Sequence, residues 1–118
     1  MAEMVLRLEG LPERPLDAAA YFLANCVQDI RRDFDTLSKP SCLTIVLETA
    51  GHEHRSWRLA AIQELAREVA PHRINAIASC SEAAVAAARA YLERAEGVTG
   101  QLLELDDTGA GEVVTTPV

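Results

Sequence analysis

The chain has 118 residues, of which 49% are apolar and 25% charged, and its 18 acidic side chains against 11 Lys and Arg give a formal net charge of −7. Length and composition exclude a disordered chain and predict one soluble globular domain, and an acidic chain without a Lys/Arg cluster is not expected to bind nucleic acid or an anionic membrane. No apolar run is long enough to span a membrane and residues 1–4 do not resemble a secretory leader, so we expect a cytoplasmic protein.

Short apolar runs alternate with amphipathic stretches along the chain, the pattern of strand–helix–strand units. Residues 4–8 predict an edge strand, because charged residues flank the apolar ones. A long helix is predicted next, since apolar residues recur at three- and four-residue spacing at Leu16, Ala19, Leu23, Val27, Ile30, Phe34 and Leu37. The nearly continuous apolar run 42–47 predicts a central parallel strand that is covered on both faces.

The second half of the chain continues the same alternation. Helices are predicted at about 55–69 and 83–95, and strands at 73–79 and 101–105. Pro71 ends the first of these helices, and Ser81 is a natural N-cap for the second. The pattern therefore predicts four strands and three helices in strict alternation, which is typical of a parallel sheet.

Two phrases of the sequence resemble the short-chain dehydrogenase/reductase (SDR) family. Residues 65–78 resemble the family's helix-to-strand junction, and residues 91–103 resemble its last helix, Thr-Gly turn and last strand. Residues 43–51 look like the strand that carries the family's catalytic Ser, and residues 5–16 like the strand and loop that open its second half. The resemblance covers roughly residues 4–107, and only against the C-terminal half of a family member.

The resemblance and the element pattern together predict an α/β fold. We expect a truncated Rossmann-like domain of three layers, with a four-stranded parallel sheet in the order 1-2-3-4 and three helices. The family's left-handed last crossover implies that the third helix alone covers one face of the sheet. Residues 1–107 are assigned to this domain, and the Gly- and Thr-rich residues 108–118 are expected to form a flexible C-terminal tail.

The resemblance does not extend to the family's chemistry. Its Gly-rich dinucleotide turn has no counterpart here, because residues 109–111 have neither a strand before them nor a helix after them. The positions that match its catalytic Tyr, Lys and Ser are Gly51, Arg55 and Glu48. Glycine offers no proton, arginine does not exchange one near neutral pH, and a carboxylate repels an oxyanion. We therefore expect no cofactor and no dehydrogenase activity.

Two clusters of reactive residue types have structural interpretations. The segment His52-Glu53-His54, even with Glu48 and His72 nearby, is interpreted as a polar loop before a helix, because histidines two residues apart do not converge on a metal as they do in an HExxH helix.

The cysteines Cys26, Cys42 and Cys80 are too widely spaced for a disulfide framework and are interpreted as structural thiols. Cys80 lies between a strand and a helix N-terminus, where a thiol can become nucleophilic, but no base accompanies it in the local sequence.

Two classes of function stay open. The first is a non-catalytic SDR-like interaction module, which forms a homodimer or joins a full-length family member or another enzyme to modulate it. Family members dimerise through the helices that match 16–37 and 55–69, and the edge strand 4–8 offers another route to a homodimer. The second is a small-ligand or dinucleotide-binding subunit that contributes to an oxidoreductase together with a partner chain. Its crevice would lie at the strand ends around Thr49, Ser79 and Cys80.

Overall fold

A computed structural model describes residues 3–105 and the backbone of residues 113–115. Its single sheet has five strands in chain order: β1 Glu3–Leu8, β2 Cys42–Leu47, β3 Arg73–Ala78, β4 Leu102–Leu105 and β5 Val113–Thr115. The first four strands are parallel, so the predicted α/β fold with sheet order 1-2-3-4 is confirmed. The fifth runs antiparallel to β4 and was not expected from the sequence. It lies within segment 108–118, whose other residues are outside the described part of the chain.

Helices connect the four parallel strands: α1 Pro15–Tyr21, a π-helical turn Phe22–Cys26, α2 Val27–Asp35, a 3-10 turn His52–His54, α3 Arg55–Val69 and α4 Glu82–Arg94. The first three of these follow one another without a break and form the long helix that the sequence predicts. Within the described residues, no helix has both the length and the apolar character needed to cross a membrane.

The helices cover the two faces of the sheet unequally. Side chains of the π-helical turn, α2 and α3 pack on one face around Ile45 and Ile74, whereas α4 alone packs on the other face around Val46 and Ile77. The strands follow one another in the same direction across the sheet, but α4 lies on the opposite face from the earlier helices. The β3–α4–β4 crossover therefore has the opposite hand to the β1–β2 and β2–β3 crossovers. If the earlier crossovers have the usual right hand, this one is left-handed, as the family resemblance implies.

The π-helical turn corrects the predicted inner face of the long helix. Leu16 and Leu23 were expected inside but are 85% and 57% exposed, whereas Val27, Ile30 and Phe34 are buried as predicted. A buried series with a spacing of four runs through the helix at Ala18, Phe22, Cys26, Ile30 and Phe34. On an α-helix, a four-residue spacing rotates by about 40° per step and soon leaves the sheet. The wider π turn reverses part of this rotation, so that the whole spacing-four series faces the core. The Asn25 amide donates to the Tyr21 carbonyl within this turn (3.1 Å).

Buried polar side chains of β3 hold the connection to β4. Asn75, which is fully buried, donates to the Val98 carbonyl (3.1 Å) and accepts from the Gln101 N–H (3.0 Å). The guanidinium of Arg73 lies at the end of α4, where its Nη1 is 3.0, 2.7 and 3.3 Å from the carbonyl oxygens of Leu92, Ala95 and Val98. These contacts add a charged donor to carbonyls at and just beyond the end of α4, each of which also accepts one other hydrogen bond.

Two ion pairs join the edge strand β1 to α4. Arg7 pairs with Glu82 (3.1 Å) and Arg89 with Glu3 (3.0 Å), across the sheet face that α4 covers only in part. Val5, between them on the strand, is 37% exposed. Charged side chains therefore cover most of this face of β1, which limits the apolar surface exposed there.

Candidate functional site

Three chain segments meet at one edge of the sheet. The parallel register places Leu8 beside Leu47 and Leu47 beside Ala78, so β1, β2 and β3 end at the same level. The residues that follow each strand therefore come together, at the edge where open parallel sheets bind their ligands.

The structure separates the residues of the predicted crevice between two cavities. Thr49 Oγ1 and Cys80 Sγ lie 3.3 Å apart, within hydrogen-bond distance. Ser79 and Cys80 line a small cavity of about 220 Å³, whereas Thr49 lines a larger neighbouring cleft of about 460 Å³. Ser79 Oγ accepts from the Ser81 N–H (3.0 Å), so part of its bonding capacity serves the start of α4. Ligand binding at this crevice stays a prediction.

The larger cleft lies between the loop after β1 and the loop after β2. Its lining combines apolar, acidic and basic side chains: Leu8, Leu11, Pro12, Glu13, Glu48, Thr49, Ala50, Gly51, Glu53, His54 and Arg58. The Gly10 N–H donates to Glu48 Oε1 (2.9 Å), which ties the first loop to the second. The two walls are therefore joined by a bond across 38 residues of sequence.

His54 provides a second tie between these loops. Trp57 Nε1 lies 3.0 Å from His54 Nδ1, and because an indole N–H only donates, Nδ1 must accept. The neutral ring then carries its proton on Nε2, which donates to the Glu13 carbonyl oxygen (2.8 Å). The buried imidazole is thus fully bonded as a structural link, and it has no nitrogen left for a metal.

Arg58 is the buried cation of the cleft. Its side chain is only 7% exposed, its Nη1 donates to the Glu48 carbonyl oxygen (3.0 Å), and its guanidinium carbon lies 5.9 Å from the centre of the Trp57 ring. Burial lowers the pKa of Arg58 below its ordinary value, while Glu104 and Glu48 oppose that shift. Its Nε is buried without a hydrogen-bond partner.

The positions that match the family's catalytic residues take structural contacts. Glu48 accepts from Gly10, and Arg55 pairs with Glu104 of β4 (3.2 Å). Gly51, at the position of the family's Tyr, has the Glu53 carboxylate folded over it, so that a Cβ added at residue 51 would collide with Glu53 Oε1. A carboxylate therefore occupies the space into which a side chain at residue 51 would project.

His52, Glu53 and His54 do not form a metal cluster with their neighbours. Among residues 3–105, no three His, Cys, Asp or Glu side chains are placed to hold a metal ion. His72, which was considered with them, lies elsewhere: it stacks on Phe34 with ring centres 4.5 Å apart, and its Nδ1 accepts from the Ser41 N–H (3.0 Å).

The three cysteines differ in accessibility. Cys26 and Cys42 are buried, and burial raises the pKa of both thiols above the ordinary value, so they stay protonated near neutral pH. Cys80 is exposed at the sheet edge.

We therefore expect iodoacetamide to alkylate one thiol of the native protein and three thiols of the unfolded protein. The modified peptide should contain Cys80, because alkylation requires an accessible thiolate. Mass spectrometry of the intact and digested protein, with and without urea, measures both numbers. Labelling of Cys42 in the native protein would contradict the burial of β2.

Two features of this region were not found by sequence reasoning. Nothing in the sequence singles out Arg58 within the predicted helix 55–69, although it is buried next to Leu59 in α3. Its only signal is its place in the chain beside an apolar residue. The loop 8–13 was interpreted only as a connection, and its role as a cleft wall depends on the contacts with Glu48 and His54.

Comparison with known proteins identifies the family. The model of a family described as "Short chain dehydrogenase-like protein" matches residues 6–105. The chain belongs to this SDR-like family. No curated protein and no solved structure matches the chain.

For this SDR-like chain, the family match spans β1 to β4 and every helix between them. It includes the cleft, the loops that line it, and the positions Glu48, Gly51 and Arg55 that depart from the dehydrogenase residues. Membership of this family confirms the resemblance that the sequence indicates. A family defines the fold, whereas the activity depends on the side chains at the site.

Proposed function

We propose that this SDR-like chain is a non-catalytic interaction module that forms a homodimer through helices α1, α2 and α3. The observation that carries this proposal is an apolar groove of about 330 Å³ on the outer side of these helices. Its lining is mainly Ala19, Leu23, Val27, Trp57, Ala60, Ala61 and Leu65, with Arg31, Glu64 and Glu68 at its margin.

Exposed leucines accompany the groove on the same helix. Leu16 is 85% exposed and Leu23 is 57% exposed, and their seven-residue spacing places them on one side of the helix. Exposed apolar side chains that lie together are typical of protein interfaces, because water is a poor solvent for them. Burying this apolar surface against a partner therefore stabilises the complex.

A second copy of the chain fits this surface. A two-fold interface needs projecting groups and receiving space on the same face, since each protomer supplies both. Here the projecting leucines of the long helix lie beside the groove bordered by Ala60 and Ala61, whose short side chains let another helix approach closely. The match of these helices to those through which the family dimerises supports the same arrangement.

The absence of catalysis is proposed from the residues at the matched positions. Glu48 and Arg55 are engaged with other protein groups, and Gly51 has no side chain. None of them supplies the proton donor that reduction of a carbonyl requires. The proposed role for the dimer is therefore to assemble with, and modulate, another enzyme.

The proposed dimer predicts the effect of a charge at Leu23. Leu23→Glu is expected to convert the dimer to a monomer, because the interface would have to bury an unpaired carboxylate. Light scattering coupled to size-exclusion chromatography measures the mass. The matched control is Tyr91→Glu, since Tyr91 is 48% exposed on α4, on the other side of the sheet, and this variant should stay dimeric.

Three results would contradict this function. A monomeric parent chain would exclude the homodimer, and a Leu23→Glu variant that stays dimeric would place the interface elsewhere, with the edge strand β1 as the next surface to test. Saturable binding of NADH or NADPH, followed by nucleotide fluorescence in the same samples, would instead favour a dinucleotide-binding subunit.

A further inference from the structure

The cleft at the ends of β1 and β2 has features that the proposed dimer does not use. Its walls are held by two hydrogen bonds between the loops, from Gly10 to Glu48 (2.9 Å) and from His54 to Glu13 (2.8 Å). A cleft that is formed before any ligand arrives binds with a smaller loss of conformational entropy. Its volume of about 460 Å³ lies in the lower part of the range for small-molecule sites, about 300–1,000 Å³.

The charged groups of the cleft define what fits it. Arg58 is 7% exposed, and its Nε has no hydrogen-bond partner. A guanidinium has five N–H donors and pairs best with a carboxylate, so the site has capacity for an anionic oxygen. The carboxylates of Glu13 and Glu53 also line the cleft, and neither has an ion-pair partner among residues 3–105.

These charges exclude the simpler ligands. An anion alone would face the carboxylates of Glu13, Glu48 and Glu53, whereas a cation alone would be repelled by Arg58, whose side chain has only the Glu48 carbonyl oxygen as an acceptor within the described residues. The acidic groups do not converge as metal ligands within the described part of the chain. A molecule that carries one carboxylate and one ammonium satisfies both kinds of group.

We propose that this cleft binds an apolar α-amino acid. Arg58 holds its carboxylate and Glu53 its ammonium, while Leu8, Leu11 and Pro12 form the apolar wall against which its side chain packs. The Glu53 carboxylate lies over Gly51, in the space that a side chain at residue 51 would enter. The cleft shares no lining residue with the helix groove, so it does not rest on the proposed dimer.

The test compares three related ligands with the full chain. Isothermal titration compares L-leucine with N-acetyl-L-leucine, which lacks the ammonium charge, and with L-leucinamide, which lacks the carboxylate charge. We expect saturable binding of leucine and at least about tenfold weaker binding of each blocked form, since each loses a charge-assisted contact. Equal binding of all three, or no saturation by leucine at its solubility limit, would overturn the proposal.

Two variants assign the contacts. Glu53→Gln changes an exposed side chain, so the variant should fold normally. Its affinity for leucine should be about tenfold lower than that of the parent chain, whereas its affinity for N-acetyl-L-leucine should not fall. Glu96→Gln, an exposed change of the same kind beyond the end of α4, is the matched control and should bind leucine as the parent does.

Equal leucine affinity in the two variants would show that Glu53 does not hold the ammonium. Leu23→Glu should also keep the leucine affinity of the parent. Failure of the dimer and failure of the amino-acid site can therefore be told apart.

Discussion

Replacing Phe22 with alanine is expected to lower the free energy of unfolding by about 3–5 kcal/mol, whereas Leu23→Ala should change it by less than about 0.5 kcal/mol. Phe22 is 1% exposed, and its ring packs 5.8 Å from that of Trp57, so its removal leaves a cavity between the long helix and α3. Leu23 is the next residue in the chain and is 57% exposed. Phe22 and Leu23 therefore differ in burial although they are neighbours in the chain.

Urea unfolding of both variants, followed by circular dichroism, measures this difference. The protein concentration should lie below that at which the dimer forms, because Leu23 belongs to the proposed interface. The opposite order, with Leu23→Ala the more damaging change, is the outcome that the three- and four-residue periodicity predicts. It would mean that the π-helical turn is absent and that the long helix faces the sheet as an ordinary α-helix.

This pair also shows why the sequence predicted the long helix but not its inner face. Helical periodicity assumes about 3.6 residues per turn throughout, and Leu16, Ala19 and Leu23 satisfy that assumption. The buried series with its constant spacing of four, which contains Ala18, Phe22 and Cys26, is equally apolar but fits only a helix with a wider turn. Local sequence alone does not decide which of these two series is buried, because that depends on how the helix packs against the sheet.

The parallel strands were more predictable because their burial is simpler. All six residues of β2 are buried, and all six residues of β3 as well, since helices cover both sides of the sheet there. A strand such as β2 appears in the sequence as a nearly continuous apolar run, whereas β3 also carries the buried polar residues Arg73 and Asn75. The three residues of β5 are too few to give such a signal, and their conformation depends on pairing with β4.

The sequence indicates where the strand ends meet but not which cavity forms there. The ends of parallel strands share one edge of the sheet, and Thr49 Oγ1 lies 3.3 Å from Cys80 Sγ at that edge, while ligand binding there stays a prediction. The cleft itself depends on a bond between Gly10 and Glu48, two residues that no local pattern connects. Burial of Arg58 likewise follows from the packing of α3 against the sheet, whereas its sequence neighbours indicate only an amphipathic helix.

A second large effect is expected at the β3–α4–β4 crossover. Arg73→Met should lower the free energy of unfolding by about 3 kcal/mol, because it removes three contacts of a buried guanidinium to carbonyls, each of which keeps one other donor, while keeping an apolar side chain of similar length. Arg73 is 6% exposed, so little water is available to replace the lost bonds. For a domain whose total stability is about 5–15 kcal/mol, this is a large fraction.

Arg67→Met is the matched control for this change. Arg67 lies on the exposed side of α3, and within the described residues its one ion pair is with Glu64 one turn away, so its loss should leave the unfolding midpoint unchanged. Urea unfolding gives the global effect, and hydrogen exchange resolves where it acts. In Arg73→Met, protection should fall most at the end of α4 and in β4, since Arg73 bonds to the Leu92, Ala95 and Val98 carbonyls that connect them.

A uniform loss of protection, or a midpoint equal to that of the control, would show that this arginine does not hold the crossover. In that case the neighbouring Asn75, which bonds to Val98 and Gln101, would have to hold it alone.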